Sequence, residues 1–255
     1  MIPAISALPV DPSYGNAIAR RRIRLRNEPG LVVASVNDVF HEMICRLRHD
    51  GQVVTDIDAG MVRNPTSICP SAVGGLGRLV GRALDTPRQD ICGGGAARTY
   101  CTHLLDLSLL SMAHAQRAEP ERIYEASVPD ETNAPVDIEV QCNGTTVHSW
   151  QVSCGRILQP GPLAGKPMLS GFARWVEGAF SGDALEAARV LAQTYFVAQG
   201  RRLNASLLEH RTLLRGLGMM GVCHAYQPEN MVRGVYSATN MRDFTRGVVD
   251  SGNIP

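Results

Sequence analysis

Aromatic side chains make up only 5% of this 255-residue chain, and its net charge is +1. So few aromatics argue that Trp150, Trp175 and the phenylalanines fill a core rather than form a stacking platform for sugars or bases. The near-zero charge leaves no electrostatic footprint for nucleic acid or an anionic membrane. No apolar run approaches the roughly 20 residues that a spanning helix needs. Met1 to Val10 lacks the basic start and hydrophobic segment of a signal peptide. The seven cysteines are odd in number and without paired spacing, the usage expected of free thiols in a reducing compartment. A soluble cytoplasmic protein with no nucleic-acid or membrane partner is expected.

Several catalytic signatures are missing as well. No Gly-x-Ser-x-Gly elbow offers an activated serine. Gly93-Gly94-Gly95 fits neither the Rossmann nor the phosphate-loop pattern, and no close Cys-x-x-Cys or His-x-x-x-His pair proposes a metal. Neither a cofactor nor a resident metal is therefore expected. A thiol- or metal-dependent hydrolase built from Cys101, His103 and Cys69 or Cys92 stays open as an alternative.

Hydrophobic content of 44% and charged content of 19% are ordinary for a globular chain long enough to bury a sizeable core. Residues 1–19, with Pro3, Pro9, Pro12 and Gly15, read as an irregular arm suited to pack on a partner subunit. Period-two alternation then marks strands at Arg20–Arg26, Leu31–Val39, His41–Arg48 and Gln52–Ala59, with Asp50-Gly51 as a hairpin turn. The arginines of the first strand read as a solvated face. A helix is predicted over Ser71–Leu84, with Pro70 in its first turn. The second half predicts strands from Arg122, over Val136–Gln141 and over Thr145–Ile157, with an Asn143-Gly144 turn and a helix from Leu169.

Matching the turns at Gly51 and Gly144 suggests an internal pseudo-repeat of halves 20–118 and 119–255. Helices at Asp183–Gly200 and Asn204–Leu217 make the last third helical. The expected fold is α+β: one domain over 20–255, with antiparallel β-meanders packed by helices.

The chemistry concentrates at Tyr100-Cys101-Thr102-His103-Leu104-Leu105-Asp106. Thr102 is placed to cap a helix, and His103 would sit at the positive end of its dipole, which disfavours protonation. Asp106, three residues on, is spaced to orient that ring. The plainer reading makes Thr102 only a cap and His103 only a satisfied half-buried residue. Arg63, in the loop before Cys69, could steady an anionic or phenolic oxygen. Cys69 at a helix N-terminus could be reactive or an inert buried thiol. His224 and Tyr226, two apart, would share a face if extended.

Cys69 with Ala72 and Gly75-Leu76, the Cys101-Thr102-His103-Leu104 block, Gly221-Val222-Cys223-His224-Ala225-Tyr226-Gln227-Pro228 and Arg242-Asp243-Phe244 together resemble a bacterial domain family of unknown function. The likeness runs from about Arg22 to Phe244, and the Cys-Thr-His-Leu block is its most specific element. The resemblance implies catabolism of plant-derived aromatics. One branch is similar to lyases that open lignin-derived phenylcoumaran dimers and release formaldehyde.

On that implication the expected activity is a cofactor-independent lyase acting on a small aromatic substrate. His103 with Asp106 would be the base, Tyr226 or Tyr100 the acid, and Arg63 the oxyanion partner. Thr102, Cys69, Cys101 and His224 would line the substrate, in a homodimer. A non-catalytic binding or assembly module is the other open class.

Overall fold

The computed structural model describes residues 8–237 and 240–248. Eight antiparallel strands form one sheet: β1 (Ile18–Glu28), β2 (Leu31–Asp38), β3 (Glu42–His49), β4 (Val54–Arg63), β5 (Glu121–Pro129), β6 (Val136–Cys142), β7 (Thr145–Ser153) and β8 (Arg156–Gln159). Their order is β4-β3-β2-β1-β5-β6-β7-β8. Two four-stranded meanders are thus joined at their first strands, where Ile23 lies opposite Tyr124.

The pseudo-repeat is real as topology, but its register differs from the expected one. Asn143-Gly144 joins β6 to β7, the second hairpin of its half, whereas Asp50-Gly51 joins β3 to β4, the third of its half. The counterpart of Gly51 is Gly155. Cys154 and Gly155 (φ 49° and 73°) make the β7–β8 turn with the same left-handed backbone as Asn143 and Gly144 (φ 49° and 78°). A cysteine in that conformation carries no turn signature, so the alternation through 145–157 reads as one strand where the chain makes two.

One face of the sheet is buried under α2 (Thr102–Ala115) and α4 (Gly182–Gln199). Strand β1 shows the sorting: Ala19, Arg21, Ile23 and Leu25 point inward, whereas Arg22 and Arg24 face outward beside Glu125 and Glu121. Arg24 Nε donates to Glu121 at 2.8 Å. The expected solvated arginine face is therefore correct for alternate positions only, and Arg21 falls on the buried one.

Helix prediction succeeds for α2, α4 and, apart from its start, α3, and fails elsewhere. The 71–84 stretch is a 3-10 segment, Cys69–Leu79, still burying Ala72, Leu76 and Leu79. Gly74, Gly75 and Gly77 make a regular α-helix costly there. Next come α1 (Arg88–Cys92) and a break in which Gly94 and Gly95 take φ of 60° and 84°, backbone that a side chain would strain. In the second half, α3 (Phe172–Ala179) starts three residues later than expected, and 204–217 is two short 3-10 segments, Ala205–Leu208 and the start of Leu213–Met219. The short α5 (Pro228–Met231) follows.

Residues 1–7 of the expected arm lie outside the described residues, and the part from Leu8 packs on its own chain. Leu8 joins Leu208, Leu213, Met231 and Tyr236 in a small second core, and Asp11 N–H donates to Arg202 C=O at 3.0 Å. Buried Arg201 pairs with Asp130 at 3.0 Å, fastening the end of α4 to the end of β5. The chain after α4 thereby folds back over the first half as a cap. Gly200 lies so close to Phe40 that a Cβ there would come within 2.8 Å of the ring. Among the described residues, no helix is long and apolar enough to cross a membrane.

Candidate active site

The turn between β2 and β3 carries a buried carboxylate, Asp38. Asp38 Oδ1 accepts from the backbone N–H of Phe40 (2.9 Å) and His41 (2.8 Å), and lies 2.9 Å from His41 Nδ1. Arg21 approaches the other oxygen at 3.2 Å. Burial alone would raise the Asp38 carboxyl, but the charges of His41 and Arg21 and the bond to His41 hold it far below the usual range. An ionised carboxylate only accepts, so Nδ1 of His41 carries the proton. In the tautomer with the proton on Nδ1, the lone pair of an uncharged ring is on Nε2.

Arg63 holds this turn in shape. Its guanidinium donates to the carbonyls of Val39 (2.7 Å), Asp38 (2.6 Å) and His41 (3.1 Å), to Asn240 C=O (3.3 Å) and to Asn37 Oδ1 (2.7 Å). With its Nη groups spent on the turn and on Asn37 and Asn240, Arg63 is a positioning residue and does not reach the cavity described below.

His103 stands in the first turn of α2, and its ring stacks on His41 with centroids 3.8 Å apart. Burial, then the neighbouring His41 and Arg21, push it well below the ordinary histidine value. Its orienting neighbour is not Asp106, which is bonded to Arg88 instead. Thr102 is not the cap: Cys101 occupies that position, and no side chain caps the helix.

Both histidines line a cavity of about 300 Å³ between the β2–β3 turn, the start of α2, the end of α4 and the cap. This size sits at the lower end of small-molecule sites, which span ~300–1000 Å³. Most of the wall is apolar, supplied by Phe40, Phe196, Leu203, Leu208 and Met219. The same cavity is lined by Tyr226 and Tyr236, whose hydroxyls lie 3.4 Å apart. Burial raises both phenols, Tyr226 well above its ordinary value, which keeps them protonated as donors. Cys69 and Cys101 also face the cavity. Cys69 has its sulfur 3.1 Å from Thr66 Oγ1 and is pushed up to about 11 by burial, while burial and the neighbouring Cys69 raise Cys101 further. Thiols so placed are poor nucleophiles at neutral pH.

Of the residues expected from sequence, the cavity gathers His103, Thr102, Cys69, Cys101 and Tyr226. Tyr100 is buried beneath Arg78, whose guanidinium lies 4.3 Å from its ring centroid, and stands apart from the cavity. His224 belongs to a 3-10 turn, His224–Tyr226, rather than an extended segment, so it parts from Tyr226 and meets Ser71 Oγ at 2.9 Å.

Sequence reading missed Asp38, His41, Arg21 and Tyr236. The first two were legible as a side-chain turn, an Asp followed three residues later by the histidine it holds. Arg21 was legible as an inward position of β1. Tyr236 is brought in by the cap and had no local signal. Among the described residues, no group of three or more His, Cys, Asp and Glu is arranged to hold a metal ion. All seven cysteines are free.

An apolar cavity lined by the Asp38-held His41, by His103 and by a tyrosine pair is thus set in an α+β fold. The chain is similar, over residues 23–118, to a family described as a protein of unknown function (DUF2889). That match runs from β1 through α2, so it includes Asp38, His41 and His103, while the tyrosines and the cap lie beyond it. No curated protein matches the chain.

Proposed function

We propose that this protein is a cofactor-independent lyase that acts on a small aromatic ether dimer of the phenylcoumaran type by acid–base chemistry. The observation that carries the reading is that an Asp-held histidine and two protonated tyrosines line one apolar cavity. Such chemistry needs a base with a free lone pair, an acid opposite it and water kept out, and nothing else.

In this reading His41 Nε2 takes the phenolic proton of the substrate. The electron pair of the new phenolate moves through the ring and breaks the cyclic C–O bond, giving a quinone methide and an aryloxide. Tyr226 or Tyr236 protonates that aryloxide. The proton on His41 returns to the tyrosinate so formed, and the freed Nε2 then removes the proton of the primary alcohol. Carbon–carbon cleavage releases formaldehyde, and the electron pair restores the aromatic ring as a stilbene phenolate, which is reprotonated. Atoms balance without any oxidant. Asp38 stabilises the imidazolium formed twice on the way, and His103, held neutral, stacks on it.

The test is to incubate metal-free protein with a panel of phenolic dimers and to follow formaldehyde and stilbene absorbance. Turnover is expected without added cofactor, and His41→Ala should lower kcat by about 10²-fold or more in a folded protein. Wild-type turnover in that variant would overturn the assignment of the base. Ligand retained without turnover would make the cavity a binding site, and activity appearing only with zinc would restore the hydrolase alternative.

A further inference from the structure

His103 also faces a second space. Between α2 and α4, over β1 and β2, lies a crevice of about 280 Å³. Arg21 forms part of its floor with only 3% of its surface exposed. One nitrogen of that guanidinium meets Asp38, but Nε and Nη1 are buried without a hydrogen-bond partner. Leaving charged donors unsatisfied in a buried position is expensive, and native proteins seldom do so without an occupant. Guanidinium N–H groups can only donate, so the occupant must accept, and a cation is excluded.

Around these donors the walls are apolar, with Ile23, Val36, Leu107, Leu110 and Val190. Arg88 and Arg189 stand nearer the opening. Burial and the charge of Arg88 lower the Arg189 guanidinium below its ordinary value, the mark of two cations held close together. The acidic side chains of the crevice are already engaged or peripheral. Asp106 takes Arg88, Glu186 accepts from Tyr124 Oη (2.7 Å) and Arg117 (2.6 Å), and Asp85 is exposed at the rim.

We propose that the α2–α4 crevice binds a small monocarboxylate with an apolar or aromatic body, its carboxylate accepting hydrogen bonds from the unpartnered N–H groups of Arg21. Bonds from a guanidinium to an anionic oxygen are about twice as strong as neutral ones, which favours the acid over an alcohol or amide of the same shape. The apolar walls favour an organic acid over a bare inorganic anion. This site is distinct from the tyrosine-lined cavity and does not depend on the lyase reading.

Isothermal titration calorimetry on the intact chain tests it, with benzoate, benzyl alcohol and inorganic phosphate as probes. Benzoate is expected to bind with one site per chain, at least 10-fold more tightly than either of the other two. Gln193→Trp, which fills the crevice from α4 without touching Arg21's partners, should weaken benzoate at least 10-fold, as should Arg21→Met. Arg21→Met strips Asp38 of a partner, so if that variant fails to fold, Gln193→Trp decides alone. Val222→Trp, at the rim of the tyrosine-lined cavity, should leave benzoate affinity unchanged. Benzoate binding that survives Gln193→Trp, that is lost in Val222→Trp, or that phosphate equals would each overturn the proposal, as would no heat of binding at millimolar benzoate.

Discussion

The two halves of the sheet each bury a histidine near a helix end, and they use it in opposite ways. His41 is 5% exposed and His148 is 7% exposed. His148 Nε2 lies 2.7 Å from Ala184 C=O, and its ring is wedged against Trp150 (5.0 Å) and Phe180 (4.6 Å). Trp175 and Phe172 complete the aromatic cluster. On the other side, His41 spends one nitrogen on a carboxylate and turns toward an open cavity. The same topology thus yields a filled end and a hollow one. The difference lies in the residues delivered to each: aromatic rings from β7 and α3 in one half, an acid, two histidines and a separate cap in the other. Both tryptophans went to the filled end.

If that contrast is right, truncating the filled end should cost stability and little else. Trp150→Ala removes a side chain that is 2% exposed and in contact with three rings. A loss of about 3–5 kcal/mol is expected, since large-to-small changes at packed aromatic sites fall in that range. The denaturant midpoint would measure it, and turnover per folded molecule should stay within a few-fold of wild type. A fall of less than about 1.5 kcal/mol would show that the cluster is not the packed core described above.

At the hollow end, Arg63→Met should damage both properties at once. It removes the donors to three turn carbonyls and Asn37 Oδ1, and leaves those acceptors buried. A loss of about 2–4 kcal/mol is expected from charge-assisted bonds of this kind. Turnover should drop as the turn holding Asp38 and His41 loosens. Full activity with lowered stability would separate Arg63 from the site and weaken the case for a positioning role.

The histidines also predict a pH signature. An unfolded chain takes up a proton on residue 103 near pH 6.5, whereas the folded ring, held well below that value by burial, does not. Stability is therefore lost as pH falls below about 6.5, by at most about 1.4 kcal/mol per pH unit from this group. His103→Gln should flatten that part of the curve. His148 and His224 are shifted the same way and remain in both proteins, so the difference between the two curves isolates His103. Asp38, depressed in the fold, contributes stability that is present above about pH 4 and lost on going lower, outside that window. Superimposable curves between pH 6.5 and 5 would contradict the buried, unprotonated ring.

How much of this was legible in sequence follows the range of the interactions. Both meanders and the two long helices are written in local alternation, and the reading located β1 to β4 within a few residues. Cys154-Gly155 was missed because an ordinary residue adopts a turn conformation only when the neighbouring strands demand it. The Tyr100–Asp106 stretch brings Cys101, Thr102 and His103 to the cavity, whereas Asp106 is bonded to Arg88 and Arg63 to the β2–β3 turn. Side chains three apart on a helix can meet, but Arg88 arrived from another segment and took Asp106 first. The tyrosine pair depends on the cap folding back over residues far away in the chain, and no local pattern records that.

The smallest expected effect bears on the thiols and changes no stability at all. Cys154, in the turn of the filled half, is the one exposed cysteine of the seven. Cys45, Cys69 and Cys101 are buried, and burial raises each thiol, Cys45 and Cys69 to about 11. Thiolate is the reactive species, so a thiol-specific reagent at pH 8 should label Cys154 quickly and the cavity thiols only as the protein opens. Mass spectrometry of the labelled peptides reads the order. Rapid labelling of Cys69 or Cys101 before Cys154 would show that the hollow end activates a thiol. In that case the chemistry of the site would pass from the histidine–tyrosine pair to a cysteine.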